Sequence, residues 1–325
     1  VNQKESLMES IEPLLSALRA AAEPTRLRLL ALCAHGELTV SELVEILGQS
    51  QPRVSRHLKL LTEAGLLERI REGSWVFHRQ VQGGAGARLA HHFNEMLPSQ
   101  DETLTRDLQR LSLVKAARER AAAEYFRDNA ESWDRLRSLH VDDSVVEGVL
   151  LDMLGGRHID DLLDLGTGTG RMLELFGAHL SKGEGIDLSR EMLAVARANL
   201  QRSNLGNCTV RQGDMYQVPY PEGAFDAVTM HQVLHFLDHP GRAIGEAVRV
   251  LRPGGLLLLV DFAPHNQENL RDEHAHRRLG FDDTEVTSWF KANDMTLVAS
   301  EHLPGDPLTV CVWLGQKKDS GKLPI

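Results

Sequence analysis

Apolar residues recur at helical spacing through the first hundred residues of this 325-residue chain. Apolar positions three or four apart predict four helices. The first lies in residues 6–20, the second restarts at residues 23–25 and continues to 33, the third opens at residues 39–41 and ends at Gly48, and the fourth runs from residues 50–52 to 61. Pro24 suits the first turn of the second helix, and Ser41 is a candidate N-cap for the third. Two short runs, residues 66–71 and 75–79, flank Gly73 and predict a β-hairpin. The N-terminal part is therefore expected to be mainly helical, with one hairpin.

The second half of the chain has a different pattern, in which short apolar runs are each followed by turn residues. The first run, residues 162–165, precedes three glycines at alternate positions and then a helical segment. This order predicts a buried strand, a tight turn and a helix. Gly166, Gly168 and Gly170 would let the backbone bend sharply and approach a ligand, and the helix that follows would direct its free N–H groups at that ligand.

Polar residues stand where the next predicted strands end, which is where open α/β sheets hold ligands. Asp187 follows the second strand, and its carboxylate could accept hydrogen bonds from both hydroxyls of a ribose. Asp214 and Met215 follow the third strand and suit the amino group and ring of an adenine, which Leu188 and Met192 could cover. We predict a cofactor site formed by Asp164, Gly166, Thr167, Gly168, Gly170, Asp187, Leu188, Met192, Asp214, Met215 and His231.

The chain resembles the class I S-adenosylmethionine-dependent methyltransferases, the small-molecule ubiquinone/menaquinone type in particular. Five segments carry the resemblance in order, at residues 161–173, 185–189, 208–215, 225–235 and 251–260. The resemblance implies a C-terminal α/β Rossmann-like domain, residues 116–325, that binds S-adenosylmethionine or S-adenosylhomocysteine. A NAD-binding sheet is disfavoured, because the G-x-G-x-x-G pattern is missing and because Met215 follows Asp214.

Methyl transfer requires little acid–base chemistry, because the sulfonium is already a good leaving group and the protein mainly positions the acceptor. We therefore assign no catalytic residue. Histidine is the natural base near neutral pH, and His231 and His265 are the leading candidates for an acceptor pocket because both follow strand ends. Residues 274–278, with two histidines and two arginines, are interpreted as a surface helix.

An aromatic segment precedes the predicted sheet. Tyr125, Phe126 and Trp133 resemble the opening of many small-molecule methyltransferases, where such aromatics lie over the cofactor or the substrate. Ordinary packing of aromatic side chains explains the same residues equally well.

Residues 17–80 resemble the ArsR-type bacterial repressors, since helix, turn, helix and hairpin in that order form a winged helix-turn-helix. The resemblance implies that the helix Gln51–Leu61 enters the major groove of duplex DNA. Arginine and glutamine can read base edges, whereas serine and lysine suit phosphates. A solvated helix face would explain the polar residues singly, but the helix order and the hairpin favour DNA. The candidate DNA-binding residues are Gln51, Arg53, Ser55, Arg56, His57, Lys59 and Arg71.

The same resemblance implies a homodimer. In ArsR-type dimers the first and last helices form the interface, which here are residues 7–18 and the helical segment 88–115. A dimer would also place two recognition helices in successive major grooves. Residues 1–115 are therefore assigned to an N-terminal, mainly helical DNA-binding and dimerisation domain.

Metal sensing is a weaker alternative. Many ArsR-type metal sensors carry E-L-C-V-C-D-L, whereas residues 37–43 here read Glu-Leu-Thr-Val-Ser-Glu-Leu, and hydroxyls are poor ligands for soft metals. Cys33 is flanked by apolar residues and is predicted to lie in the core. The pair His91-His92 lacks a matching acid and histidine pattern. Arsenite methylation would need several thiolates, and the second domain has only Cys208 and Cys311. No metal site is expected.

The composition indicates how charge is distributed along the chain and in which compartment the protein is expected. Basic and acidic residues balance within residues 1–115, so the net charge of −10 lies on the remainder, while residues 50–79 carry a local excess of basic residues. That local excess suits duplex binding. No apolar run approaches the ~20 residues of a membrane span, and the N-terminus lacks a signal-peptide pattern. Three scattered cysteines suit the cytoplasm.

Together these patterns predict a cytoplasmic, dimeric transcriptional regulator whose second domain binds S-adenosylmethionine or S-adenosylhomocysteine and couples that ligand to DNA binding. Two alternatives stay open. In the first, the second domain is an active methyltransferase on a small molecule and the DNA-binding domain is accessory. In the second, the chain is a metal-responsive repressor.

Overall fold

A computed structural model describes residues 11–72, 75–81, 83–130, 142–154 and 157–319. The chain divides into two compact units, residues 1–120 and residues 121–325, here called the N-terminal and C-terminal units. The extents of the two functional domains, predicted to meet after residue 115, stay a prediction. The predictions for Leu7, Gly73 and Trp133 concern residues outside these described ranges. Among the helices that are described, none is long and apolar enough to span a membrane.

The N-terminal unit is mainly helical and carries a small antiparallel sheet. Its helices are α1 Glu12–Ala21, α2 Pro24–Cys33, α3 Val40–Leu47, α4 Gln51–Glu63, α5 Gly84–Glu95 and α6 Glu102–Asn129, the last of which continues past residue 120. Its strands are β1 Leu38–Thr39, β2 Leu67–Glu72 and β3 Trp75–Gln80, in the order β1-β3-β2. The hairpin of β2 and β3 after α4 is the predicted wing.

One apolar core joins the helices of this unit. Leu30 of α2, Ile46 of α3 and Leu58 of α4 are almost fully buried in it. Arg28 of α2 donates two hydrogen bonds, of 2.5 and 2.7 Å, to the carboxylate of Asp107 on α6, which is 2% exposed. A fork of this kind fixes geometry as well as supplying energy, so it holds the start of α6 onto α2.

Capping residues set where two of these helices begin. Glu23 caps α2, since its carboxylate accepts the backbone N–H of Arg26 at 2.9 Å. The prediction that Ser41 caps α3 is wrong. Thr39 is the N-cap, and it forms a capping box with Glu42 through hydrogen bonds of 3.3 and 2.8 Å. The glutamate three residues after Thr39 satisfies the cap backbone N–H, which moves the helix start ahead of Ser41.

The C-terminal unit alternates strands and helices. Its strands are β4 Asp161–Leu165, β5 Lys182–Asp187, β6 Cys208–Gln212, β7 Phe225–His231, β8 Leu251–Phe262, β9 Met295–Leu303 and β10 Val310–Lys317. Its remaining helices are α7 Asp143–Leu154, α8 Arg171–Phe176, α9 Arg190–Arg202, α10 Pro240–Val250, α11 Asn269–Glu273 and α12 Asp283–Ala292, with 3₁₀ turns at Gly177–His179 and Leu234–Phe236.

These seven strands form one sheet in the order β6-β5-β4-β7-β8-β10-β9. The first five strands are mutually parallel, and β10 runs antiparallel to both of its neighbours. The predicted Rossmann-like α/β fold is therefore confirmed. Because parallel strands end at the same edge, the loops after β4, β5, β7 and β8 meet there, which is the usual ligand edge of such a sheet.

Both faces of the sheet are buried. Along β8, Leu257 and Leu259 point into one apolar core, and Leu256 and Leu258 point into the other. This alternation explains the nearly continuous apolar sequence of β8, because a parallel strand covered on both faces needs apolar side chains on both. The sheet is thus a rigid support for the loops at its ligand edge.

Candidate cofactor site and DNA-binding surface

The loop after β4 folds tightly against β5. The backbone N–H groups of Gly166 and Thr167 both donate to the carbonyl of Ile186, at 2.9 and 3.0 Å. Gly166, Gly168 and Gly170 have φ values of +72°, +50° and +85°, a region that L side chains rarely adopt. The predicted turn between strand and helix is present, and its glycines are required by backbone conformation.

Neighbouring side chains also leave no room for a Cβ atom at the start of this loop. A Cβ at position 166 would lie 2.5 Å from Cγ2 of Val233 and 3.2 Å from Cε of Met215. Val233 belongs to the loop after β7, and Met215 to the loop after β6. The absence of a side chain at Gly166 therefore lets three loops meet at the ligand edge.

Thr167 presents a buried hydroxyl next to this meeting point. The residue is 6% exposed, and its Oγ1 has no hydrogen-bond partner among the described residues. A Cβ at Gly185 would lie 2.6 Å from that oxygen, so the strand provides room for the threonine only because residue 185 is glycine. A buried hydroxyl without a partner is costly unless a ligand or a water satisfies it. Thr167 is thus the residue of the loop that most directly suggests a polar ligand.

Asp187 lies at the end of β5, beside the glycine loop. One carboxylate oxygen accepts the N–H of Gly168 at 2.9 Å, and the other accepts the N–H of Ser189 at 2.9 Å. Burial raises the pKa of Asp187, and the backbone N–H groups oppose that rise. Each oxygen retains a second lone pair, so the carboxylate can still accept hydrogen bonds from a ligand while the loop holds it in place.

The other predicted cofactor residues occupy different environments. Asp164 is 1% exposed and accepts a hydrogen bond of 2.6 Å from the hydroxyl of Thr229, which ties β4 to β7 beneath the loop. Leu188 is 62% exposed, whereas Met192 is 1% exposed within the core face of α9. Of these two residues, only Leu188 has a side chain that is accessible to a ligand. Direct binding by Asp164 and Met192 stays a prediction.

The loop after β6 presents one exposed acid and one buried apolar residue. Asp214 is exposed, and its carboxylate accepts the N–H of Tyr216 at 2.8 Å, while Met215 is buried. His231, the last residue of β7, is half-buried. The structure brings Met215 against the glycine loop and places Asp214 at its rim, as the order of the strands requires.

A second buried polar contact in this unit, between His235 and Asp261, was not predicted from the sequence. His235 lies in the 3₁₀ turn after β7, and its Nδ1 is 2.8 Å from Oδ1 of Asp261 near the end of β8. His235 is 2% exposed and Asp261 is 0% exposed. The only sequence signals were a histidine just past one strand end and an acid interrupting an apolar strand.

Residues 274–278 do not form the surface helix that was expected. α11 ends at Glu273, and His276, Arg277 and Arg278 are 3–8% exposed in the segment that follows. The ring of His276 lies 4.1 Å from that of His235, centroid to centroid. The interpretation failed because charged residues were assumed to face solvent, whereas Arg277 is neutralised by Asp238 at 2.7 Å.

His265 and Tyr125 lie near this histidine cluster in sequence-distant segments. His265, a predicted pocket residue, is half-buried, and its ring centroid is 6.1 Å from that of Phe262. Tyr125 bonds through its hydroxyl to Nδ1 of His274 at 2.7 Å, and burial raises the pKa of Tyr125 to about 12. Phe126 packs edge-on against Phe236 at 4.8 Å. Tyr125 therefore contacts His274, and Phe126 contacts the turn that carries His235.

In the N-terminal unit, α4 has one buried and one exposed face. Val54, Leu58 and Leu61 are buried. The predicted DNA-binding residues Gln51, Arg53, Ser55, Arg56 and Lys59 are exposed, as is Arg71 on β2 of the wing. Except at one position, the helical period therefore separates core residues from candidate DNA contacts as expected.

His57, also predicted to bind DNA, is the exception, because it lies mostly inside the unit. Its side chain is 14% exposed, and Nδ1 lies 3.6 Å from Oε2 of Glu23 at the start of α2. Burial lowers the pKa of His57, although the charge of Glu23 opposes this. The residue is thus part of the contact between α4 and α2.

The three cysteines lie apart from one another in buried positions. All three cysteines are buried and unpaired, and burial raises the pKa of Cys33 to about 12. Cys33 lies in the core, as predicted. Within the described ranges no group of three or more His, Cys, Asp or Glu side chains could hold a metal ion.

Comparisons with known proteins match both units. Residues 23–69 match the family model of bacterial regulatory proteins of the arsR family, and residues 163–259 match the model of a methyltransferase domain. A ubiquinone/menaquinone biosynthesis C-methyltransferase of Stutzerimonas stutzeri is 35% identical over 122 residues, which cover 36% of this chain and 48% of that protein. A demethylmenaquinone methyltransferase of Thermus thermophilus is 38% identical over 106 residues, which cover 32% of this chain and 47% of the relative.

The chain spans less than half the length of these curated relatives. Among solved structures, a Haloferax volcanii complex between a methyltransferase activator and a methyltransferase matches with a TM-score of 0.50 and 17% identity. That match covers 59% of this chain and 97% of the other. At this identity the likeness concerns the fold alone. The chain therefore combines a segment that matches the arsR family of bacterial regulatory proteins with a Rossmann-like domain that matches the methyltransferase model.

Proposed function

We propose that this protein is a DNA-binding regulator whose methyltransferase domain binds S-adenosylmethionine or S-adenosylhomocysteine, and that the bound ligand changes its affinity for DNA. The observation that carries the proposal is the presence, in one chain, of an exposed basic helix face and a glycine loop whose buried threonine hydroxyl has no partner among the residues that the structure describes. The three cysteines of the protein are buried and unpaired, which suits the reducing cytoplasm, and we propose that the protein is cytoplasmic.

The residues at the ligand edge fit an adenosyl group. Asp187 retains lone pairs for the two ribose hydroxyls, and Asp214 is exposed at the rim for an adenine amino group. The hydroxyl of Thr167 would gain the partner that it lacks within the described part of the chain. When bound, the cofactor supplies an electrophilic methyl group. The protein's own contribution is to hold and orient the ligand, which the converging loops around Gly166 support.

The DNA-binding half of the proposal rests on α4. Arg53 and Arg56 are exposed on one helix and carry side chains that can read guanine edges, while Ser55 and Lys59 suit phosphates. Their helix follows a short turn after α3 and precedes the wing, which is the order that inserts such a helix into the major groove.

We further propose a homodimer through α1 and α6. Large apolar side chains are exposed on these helices and beside α1, namely Ile11 at 64%, Leu18 at 44%, Leu108 at 40% and Leu113 at 67%. Exposed apolar residues of this size are typical of interaction surfaces when they cluster. A two-fold dimer would present two copies of α4 to successive major grooves.

Coupling between ligand and DNA has a thermodynamic limit. A ligand can shift DNA affinity only by the difference between its affinities for the DNA-bound and free forms, and the effect is reciprocal. Typical coupling free energies are about 1–3 kcal/mol, or roughly 5–150-fold in affinity.

Fluorescence anisotropy of the protein on DNA from upstream of its own gene tests the proposal, at fixed salt, with and without each adenosyl ligand. We expect the midpoint to shift at least about fivefold with one ligand and less with the other. Tight ligand binding by calorimetry without any shift would mean that the two domains act independently. Absence of ligand binding would refute the proposal for the C-terminal unit itself.

A second candidate function is methyl transfer to a small molecule. The observation in its favour is the enclosed pair of His235 and Asp261 at the ligand edge, since a regulator that only senses the ligand needs no such pair. Turnover of S-adenosylmethionine to S-adenosylhomocysteine with a panel of acceptors would separate this candidate from a sensor.

A further inference from the structure

The first half of α6 contacts the turn that precedes the predicted recognition helix α4. Nη1 of Arg110 donates to the carbonyl of Ile46, in the last turn of α3, at 2.9 Å. A Cβ at Gly48, which ends α3, would lie 3.5 Å from the same nitrogen, so the guanidinium lies against the turn itself. A cation is favourable at a helix C-terminus, where carbonyl groups lack helical partners. Within the N-terminal unit, the position of α6 is therefore linked to the turn that leads into α4.

The last turns of α6 belong to the C-terminal unit and pack within it. The ring of Phe126 lies 4.8 Å from that of Phe236, centroid to centroid. The hydroxyl of Tyr125 bonds to Nδ1 of His274 at 2.7 Å. Phe236 is the last residue of the 3₁₀ turn that follows β7. One aromatic and one polar contact thus hold the end of α6 against two loops of this unit.

The same 3₁₀ turn meets the glycine loop. Val233 immediately precedes the turn, and its Cγ2 would lie 2.5 Å from a Cβ at Gly166. The backbone N–H of Phe236 donates to the carbonyl of Val233 at 3.2 Å, so these two residues are joined within one turn. A ligand that moves the glycine loop would therefore affect Phe126 through Val233 and Phe236, inside a single packed unit.

Between Arg110 and Phe126 the sequence of α6 favours an unbroken helix. Residues 116–123 are mostly alanine, the residue with the highest helix propensity, and neither glycine nor proline occurs between residues 102 and 129. Sharp kinks in helices usually need one of those residues or an inserted group. Because helix formation is cooperative, a change at one end of such a helix can affect its other end.

We propose that α6 carries the coupling between the adenosyl site and DNA binding. A ligand held by the glycine loop alters the turn after β7 and its contact with Phe126, and α6 transmits that change to Arg110 and the turn before α4. This inference rests on the proposed function, and it adds the element through which the ligand would regulate DNA affinity. The helix can transmit no more than the difference between the ligand's affinities for DNA-bound and free protein.

Proline in the middle of α6 tests the inference. Arg120 lies between the two sets of contacts and is exposed. Arg120→Pro removes a backbone donor and clashes with the preceding turn, whereas Arg120→Ala removes the same charge and leaves the helix intact. Anisotropy on the same upstream DNA gives the ratio of dissociation constants with and without saturating S-adenosylhomocysteine or S-adenosylmethionine. We expect Arg120→Ala to keep the wild-type ratio of at least about fivefold with one ligand, and Arg120→Pro to lose most of it.

A second pair of variants tests the contact with the turn before α4 and leaves α6 unbroken. Arg110→Gln removes the guanidinium from the carbonyl of Ile46. The matched control is Arg106→Gln, at an exposed arginine one turn earlier on α6. Both changes remove one positive charge, so a general electrostatic effect on DNA affinity is common to them. We expect the ligand-dependent ratio to fall about twofold or more in Arg110→Gln only, with S-adenosylhomocysteine binding unchanged in both.

Circular dichroism and calorimetry with S-adenosylhomocysteine establish that each variant is folded. Equal ratios within either pair of folded variants, beside a normal wild-type ratio, overturn this inference and leave the proposed function standing. If Arg120→Pro does not fold, the Arg110 and Arg106 pair decides. A wild-type protein that binds the ligand without any change in DNA affinity overturns the proposed coupling and this inference with it.

Discussion

Alanine at Gly166 would test whether three loops converge there as the structure shows. The new Cβ would lie 2.5 Å from Cγ2 of Val233, 3.1 Å from its Cβ and 3.2 Å from Cε of Met215. The backbone at Gly166 also has φ +72°, which disfavours any L side chain. The substitution therefore combines backbone strain with a collision against the two neighbouring loops.

These two effects can be separated with a matched glycine. Gly223 has φ +68°, and a Cβ there would meet no atom within 4 Å. Gly223→Ala therefore carries only the left-handed backbone strain, about 1–2 kcal/mol, and Gly166→Ala carries a similar strain. The collision adds about 1–3 kcal/mol to Gly166→Ala, as overpacking in a core does. Replacing glycine by alanine also lowers the conformational entropy of the unfolded chain, which stabilises the folded state. This effect is the same in both variants and cancels when they are compared.

Urea unfolding and calorimetry with S-adenosylhomocysteine measure the result. We expect the free energy of unfolding of Gly166→Ala to lie ~1–3 kcal/mol below that of Gly223→Ala. We also expect Gly166→Ala to bind the ligand at least about tenfold more weakly. Displacing Thr167 and Gly168 needs to reduce the binding free energy by only ~1.4 kcal/mol to have that effect. If the two variants matched in stability and in ligand affinity, the loops would not meet at Gly166 and the cofactor site would be misplaced.

Three further predictions concern single side chains. Asp187→Ala should weaken S-adenosylhomocysteine binding by ~1.5–3 kcal/mol, the range for a hydrogen bond to a charged group; unchanged affinity in calorimetry would remove it from the site. Arg53→Ala should weaken DNA binding and, if it contacts phosphate, reduce the salt slope by about one. The control Arg88→Ala, at an exposed position of α5, should change neither in anisotropy titrations. Burial lowers the pKa of His78 to about 4 from 6.5. The contribution of the neutral ring to the free energy of unfolding is therefore complete above pH 6.5 and is lost as the pH falls through 4. His78→Gln should flatten this acid dependence by ~2–3 kcal/mol, and equal slopes in urea unfolding at several pH values would contradict that.

Local patterns were sufficient to predict the parts of the site that follow strand ends. Asp187 and the glycine loop could be placed from the sequence, because parallel strands end at one edge and the residues that follow must gather there. The exposed face of α4 followed in the same way from helical spacing. These predictions needed no knowledge of which strands are neighbours.

Pairing across the fold could not be predicted from the sequence. His235 and Asp261 meet because β7 and β8 are adjacent, with His231 opposite Val260. A single chain gives no signal for that register. The enclosed position of Arg277 was missed for a related reason, since its burial depends on Asp238 in another loop. A charged residue is buried where a partner meets it, and partners are set by tertiary structure.

Gly185 would support the proposed cofactor site without touching the ligand itself. This glycine sits within β5, and its missing side chain leaves the space that the hydroxyl of Thr167 needs. Alanine there would press on the threonine from below and disturb the loop without reaching the ligand. Efforts to redesign or transplant the glycine loop must therefore keep β5 together with it, because the position of Thr167 depends on the strand beneath it.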